Sequence, residues 1–289
     1  MKVINPDFTK LLIIDCMKTK AIYLIGFAAI LLFLATSCQK NEQYAFTDFP
    51  IIEAYLEPGN EISVSVTRQI PFFDGIEYSA DDIDNLDITL KHNNSYYKLV
   101  ASDSGRYLLN SVGFSAGDTL ALSFTFDGRN VNTYTYIPTK PEELTQSTTK
   151  MYVPRRDTTM GLPSGSMSNP MQITWKNSDE SYYMVVVENM ETILDPVTDF
   201  GDDAPPANRF RKSPTKSASE TLRPFDFEYF GMHRIIVYHV LPDYATLYDE
   251  SSNSSLNLTN PSTDIQNAYG IFTGLNADTL YVNVIESSK

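Results

Sequence analysis

Three histidines, two cysteines and one dense run of aspartates are the residues of this 289-residue chain best placed to do chemistry. The histidines are His92, His233 and His239. His92 falls in a turn sequence. His233 and His239 share the parity of one strand, but six residues of strand separate them by about 20 Å, too far for one metal ion. The stretch "SADDIDNLD" offers Asp81, Asp82, Asp84 and Asp87. Such hard oxygen ligands can hold Ca²⁺, but an EF-hand loop needs a central Gly and a terminal Glu, and neither is present. A solvated acidic loop is the favoured expectation. "GLPSGSMS" lacks the strand–turn–helix setting of a nucleophile elbow. No phosphate-binding or dinucleotide fingerprint occurs. Acids are numerous, yet no pair stands out for glycoside hydrolysis. The expectation is therefore a protein that is not an enzyme, with no catalytic residue, no metal and no cofactor.

Both cysteines, Cys16 and Cys38, fall in the first 38 residues. Nothing downstream can form a disulfide, so core packing alone must hold the folded part together. Cys38 ends "LLFLATSC", after an apolar run of 15 residues from Ala21 to Ala35, with Lys18 and Lys20 ahead of it. That run is short for a membrane span. A basic start, a 7–15-residue apolar core and small residues before a cut describe a secretory signal. Ala35-Thr36-Ser37-Cys38 resembles the lipobox of bacterial lipoproteins, in which the cysteine is acylated, with palmitate or a similar chain, and becomes the first mature residue. The usual box has Leu three residues before Cys; here Ala35 holds that place and Leu34 precedes it. The plainer readings are a cleaved signal with an incidental cysteine, or an uncleaved anchor. Gln39 follows the cysteine rather than Asp, so the inner-membrane retention signal known for some lipoproteins is missing. Met17 is the expected natural start. Residues 1–37 then form upstream sequence and signal, and residues 38–49 a polar tether.

The chain carries 22 basic and 36 acidic residues, net −14. Residues 1–37 hold four Lys and two Asp, so the mature chain has 18 basic and 34 acidic residues, net −16. Phosphate backbones repel such a chain, and nucleic acid is excluded as a partner.

Eighteen Tyr and 16 Phe favour strands. "IIEAYLE" and "ISVSVTRQ" read as a hairpin across "PGNE". "LDITLKHNNSYYKLVAS" reads as a second, around His92-Asn93-Asn94. "TLALSFTFDGRNVNTYTYIP" is a third, around Asp127-Gly128. Pro138 and Pro141 mark a break. The expected fold is all-β, two β-sandwich domains in series over residues 50–138 and 139–289. In "MQITWKNSDESYYMVVVEN", Trp175 shares a face with Ile173 and is the expected core anchor. This pattern resembles the early strands of a fibronectin type III domain, with "HRIIVYHVL" as a later strand. Residues 192–221 lack periodicity and read as a long loop insertion. Phe200, Arg209, Phe210 and Arg211 are its candidate partner-binding residues. "LRPFDFEYFG" reads as a strand with Phe225, Phe227 and Tyr229 on one face, packed in a core or presented as an aromatic platform. "LPDYATLYDESS" is the one expected helix, with Tyr244, Leu247 and Tyr248 packing down.

The lipobox cysteine and the runs "SYYKLVASDSGRYLLNSVGFSAGDTLALSF", "ITWKNSDESYYMVVVEN" and "DIQNAYGIFTGLNADTLYVNV" together resemble a Bacteroidota lipoprotein family of unknown function, encoded beside TonB-dependent outer-membrane receptors. The resemblance spans residues 38–289. In the last run Asp264 and Ala268 depart from the usual pattern, while Gly270, Phe272 and Gly274 keep it. The family brings no catalytic residues with it. It implies a binding or accessory lipoprotein, anchored in the outer membrane on its periplasmic or cell-surface face, whose partners are the bilayer and a TonB-dependent receptor. The alternative is a stand-alone carbohydrate- or peptide-binding surface module, and after it a secreted hydrolase.

Overall fold

The computed structural model describes residues 48–69, 81–110, 112–156, 168–198, 206–247 and 264–287. Cys38, Phe200 and tether residues 38–47 lie outside these. The chain is nearly all β.

The three hairpins form where alternation and turn chemistry place them. β1 (Pro50–Leu56) and β2 (Ile62–Arg68) pair antiparallel. α1 is a short helix (Asp81–Asp84) before β3 (Thr89–His92), which pairs with β4 (Ser95–Lys98) across a left-handed Asn93. β5 (Val100–Ala101) and β6 (Arg106–Leu109) follow. β7 (Thr119–Phe126) and β8 (Arg129–Tyr136) meet at Asp127 and Gly128, with φ of 47° and 72°. Two successive positive φ values match the twist of the strands they join.

The first sandwich sets β4-β3-β7-β8 against β1, β2, β6 and β5. Every second residue turns inward: Ile52, Ala54, Leu56, Ile62, Val64 and Val66 from one sheet, and Leu90, Leu120, Leu122, Phe124 and Phe126 from the other. The last two residues of the expected tether are fixed to this sandwich. Asp48 pairs with Arg68, and Phe49 lies edge-on to Tyr269 and under the Arg129 guanidinium, with ring centroids 5.5 Å apart and the guanidinium 4.8 Å away.

In the second half, β9 (Glu142–Gln146), β11 (Met171–Lys176) and β14 (Ser219–Leu222) form a three-stranded sheet in the order β14-β11-β9. Opposite lie β13 (Arg209–Arg211), β12 (Tyr182–Asn189), β15 (Gly231–Val240) and β16 (Tyr269–Glu286), flanked by β10 (Lys150–Val153). Three strands thus face four, with β10 as a fifth at the far end of β16, an arrangement that is fibronectin type III-like. β11 and β12 are thus neighbours in sequence but sit in opposite sheets. Ile173 and Trp175 point between the sheets with Tyr183, Val185, Val187, Ile235 and Val237.

The closing strand alters the expected series of two domains. β16 is one strand of 18 residues. Its first part, Tyr269–Gly274, runs parallel to β1; its next part, Leu275–Val284, runs antiparallel to β15. One nine-stranded sheet therefore joins both halves. Ile265, Ala268 and Phe272 belong to the first core, not the second. The segment before β16 and the first part of β16 also close the free edge of β8. Gln266 N–H donates to the Asn132 carbonyl at 2.9 Å, Asn267 donates to the Asn130 carbonyl at 2.8 Å, and Gly274 N–H donates to Thr135 Oγ1 at 2.9 Å. The break at Pro138 is real in sequence but pinned in space. Asn276 donates to the Pro138 carbonyl, and the His239 ring, whose Nδ1 must carry the proton, donates to Thr139, both at 2.9 Å.

Three further expectations are corrected. The described residues of 192–221 are not all loop. Val197 is buried in the second core, and β13 and β14 are strands of the sandwich; three and four residues are too few to register as periodic. "PFD" is a 3₁₀ turn, Pro224–Asp226, so Phe225 swings out to solvent while Phe227 and Tyr229 are buried. α2 spans only Pro242–Thr246; Tyr244 packs down, but Leu247 is exposed and Tyr248 lies outside the described residues. No helix among the described residues is long and apolar enough to cross a membrane.

Candidate functional site

β13 is the edge strand of the joined sheet, so its residues alternate between core and solvent. Arg209 and Arg211 point out and are exposed. Phe210 points in: its ring stands edge-on to Phe227, with centroids 6.0 Å apart. Of the expected partner-binding residues, the structure thus brings Arg209 and Arg211 to one surface and takes Phe210 away from it. The core position of Phe210 follows from the two-residue period of the strand.

On the outward face, register places Arg209 beside Glu188, Glu188 beside Arg234 and Arg234 beside Tyr281. Arg234 binds Glu188 at 2.6 Å, and this hydrogen bond holds the guanidinium above its ordinary pKa. Exposed Tyr281 ends this row, and exposed Met232 stands two residues before Arg234 on β15, opposite Asn283. A cleft of about 420 Å³ opens beside β13, lined among others by Asn208, Phe210, Phe225, Glu228 and Tyr229. Its charges are largely matched internally. Lys212 pairs with Asp226 at 2.8 Å, and Arg156 lies over the Phe225 ring at 5.3 Å and reaches Glu228 at 3.9 Å.

His233 lines the same cleft from below. Its Nδ1 lies 3.1 Å from the Gly231 carbonyl, which can only accept, so Nδ1 carries the proton. Asn189 Nδ2 donates to Nε2 at 3.3 Å, which leaves the ring neutral. Burial holds its pKa below the ordinary histidine value, with the Gly231 bond opposing. The unfolded chain then binds the extra proton first, so stability falls as pH drops below about 6.5 and keeps falling to the folded-state pKa. Urea midpoints at pH 7.5 and 5.5 should differ less in His233→Gln than in wild type. An equal difference in the two proteins would contradict a neutral buried ring.

A second, smaller pocket of about 230 Å³ lies at α2 and is lined by Thr133, Tyr134, Asp243 and Asp264 among others. Burial pushes the Asp243 carboxyl above its ordinary value; bonds from Tyr244 N–H and Thr273 Oγ1 oppose this, and Asp264 reinforces it. In the acidic stretch, Asp84 and Asp87 have separate partners: Asp84 accepts from Gly105 N–H at 2.6 Å, and Asp87 pairs with Lys98 at 3.0 Å. No group of three or more His, Cys, Asp or Glu among the described residues is gathered to hold a metal ion.

Sequence reading missed a third surface, the outward face of β4-β3-β7-β8, where Tyr96, Tyr134 and Tyr136 are exposed. The signal was present in "SYYK" and "NTYTY", where tyrosines occupy the outward parity that polar residues usually take.

No family model matches the chain, and no curated protein does. Among solved structures, the crystal structure of domains A168-A170 from titin aligns over 83% of this chain and 68% of that one, at 10% identity and a TM-score of 0.19. So loose an alignment carries no argument, and the sandwich assignment rests on the strand pairing itself.

Proposed function

We propose that this protein is a lipoprotein of the outer membrane, anchored through acylated Cys38, that acts as a binding accessory of a TonB-dependent receptor in nutrient uptake. The observation that carries this reading is the sequence at Cys38: a basic start, 15 apolar residues, the small residues Ala35, Thr36 and Ser37, the cysteine, and a polar tether. Each buried acyl CH₂ contributes about 0.8 kcal/mol, so two or more chains anchor stably. The mature charge of −16 (18 basic, 34 acidic) holds the body off anionic lipid. Beyond the tether, a double sandwich carries its binding surfaces at a high effective concentration near a membrane receptor, so weak contacts suffice. Arg209 and Arg211, exposed on an edge strand, are the contact residues of this reading.

Fatty-acid labelling and membrane fractionation of Cys38→Ser test the anchor. The variant should lose the label and leave the membrane fraction. Wild-type behaviour in both assays would sink the lipidation reading. Reversing charge at Arg209 and Arg211 together should reduce co-purification of a receptor from native membranes by tenfold or more; unchanged recovery would remove β13 from the contact.

A further inference from the structure

The outward face of the sheet β4-β3-β7-β8 is unusual for this molecule. Strand register lays its residues in rows. Tyr96 stands opposite Lys91, Lys91 opposite Ala121, and Ala121 opposite Tyr134. The next row reads Lys98, Thr89, Ser123, Asn132, and Tyr136 stands opposite Thr119 on the other side. Tyr134 is 75% exposed, Tyr96 69% and Tyr136 50%. Tyr96 and Tyr134 are three strand spacings apart, about 14 Å, with only Ala121 and the slender Lys91 side chain between them. The row is therefore a shallow trough walled by two aromatic rings.

Charge sharpens the reading. The chain holds 36 acidic residues, yet none occupies an outward position on these four strands. Lys91 lies over the Tyr96 ring at 5.7 Å, and Lys98 is matched by Asp87 at the sheet corner. The nearest acids lie off these strands: Asp87 at the Lys98 corner, and Asp243 and Asp264 in the pocket beside Tyr134. An anionic group is therefore favoured at the other end of the row, where Lys91 and Tyr96 stand together. The spaces between the tyrosines carry Thr, Ser, Asn and Lys, which offer hydrogen bonds but little apolar area. Protein-binding patches instead have an apolar core and are depleted in Lys and Ser. A pyranose ring suits this face: its C–H side is apolar and lies flat on an aromatic ring, while its hydroxyls reach polar neighbours.

The geometry points to a binding face for an acidic polysaccharide, with sugar rings stacked on Tyr134 and Tyr96 and a uronate carboxylate drawn to Lys91. This inference stands on the sheet face alone and does not depend on receptor association.

The test is calorimetric titration of the purified protein with polygalacturonate, beside neutral galactan as control. Wild type should bind polygalacturonate, more weakly as salt rises, and bind galactan at least tenfold less well. Tyr134→Ala and Tyr96→Ala should each weaken binding tenfold or more. Lys91→Ala should flatten the salt dependence. Tyr152→Ala, an exposed tyrosine of the other sandwich, should bind like wild type. Unchanged thermal transitions followed by Trp175 fluorescence would certify that the variants are folded. No binding of polygalacturonate, equal binding of galactan, or binding indifferent to Tyr134, Tyr96 and Lys91 would overturn the inference.

Discussion

Gly270→Val should cost the protein several kcal/mol, a large share of its stability. Gly270 has φ of +104°, a region that residues with a Cβ rarely adopt. A Cβ built there would also collide with the Ile52 carbonyl oxygen of β1, its partner in the ladder. Backbone strain alone costs about 1–3 kcal/mol at such a position. Relieving the collision would push β16 away from β1 and open the first core at Phe272. With a typical stability of about 5–15 kcal/mol, a loss of this size is a large fraction of the whole. Urea denaturation followed by circular dichroism would measure it. A midpoint within experimental error of wild type would show that β16 does not approach β1 as described.

Trp175→Ala should be nearly as damaging, by about 3–5 kcal/mol. Trp175 is buried between the sheets of the second sandwich, its ring 5.3 Å from Tyr183, which in turn stacks on His239 at 4.8 Å. Removing it leaves a cavity at the end of that chain of rings, between the two sheets. Trp175→Phe should cost much less. The indole Nε1–H finds no acceptor among the described residues, so Phe removes an unpaired buried donor along with some ring area. If the two variants lost equal stability, ring packing would not be what anchors the core.

Much of this architecture was legible from alternation and turn chemistry. "ISVSV" and "TLALSFTF" alternate so plainly that strand, face and hairpin follow from them. Trp175 and Ile173 were placed in a core by spacing alone. What stayed hidden depends on partners distant in sequence. Nothing in "AYGIFTGLNADTLYVNV" says that its first third pairs with β1 and its remainder with β15. The motif glycines have a physical reason only once both neighbours are known: a Cβ at Gly270 meets Ile52, and one at Gly274 meets the Tyr136 carbonyl. β13 and β14 were hidden for another reason. "RFR" and "SETL" are too short and polar to show a period, and they become strands because β12 and β11 offer edges to pair with. Among candidate site residues, the exposure of Arg209 and Arg211 could be anticipated from charge. The inward turn of Phe210 needed the strand, and the tyrosine face needed the register of four strands at once.

The claim on which the rest depends is that β16 fuses the two sandwiches into one cooperative unit. Trp175, the lone tryptophan, reports on the second core, and Leu122 lies in the first. Leu122→Ala removes about 2–5 kcal/mol from a site that Trp175 does not share. The direct measurement is urea unfolding of Leu122→Ala followed by Trp175 fluorescence in the intact protein. A shared strand predicts that the Trp175 transition moves to lower urea together with the loss of β-sheet circular dichroism, as coincident probes require. A Trp175 transition left at its wild-type midpoint, with a separate earlier transition in circular dichroism, would show two independent domains in series and contradict the account.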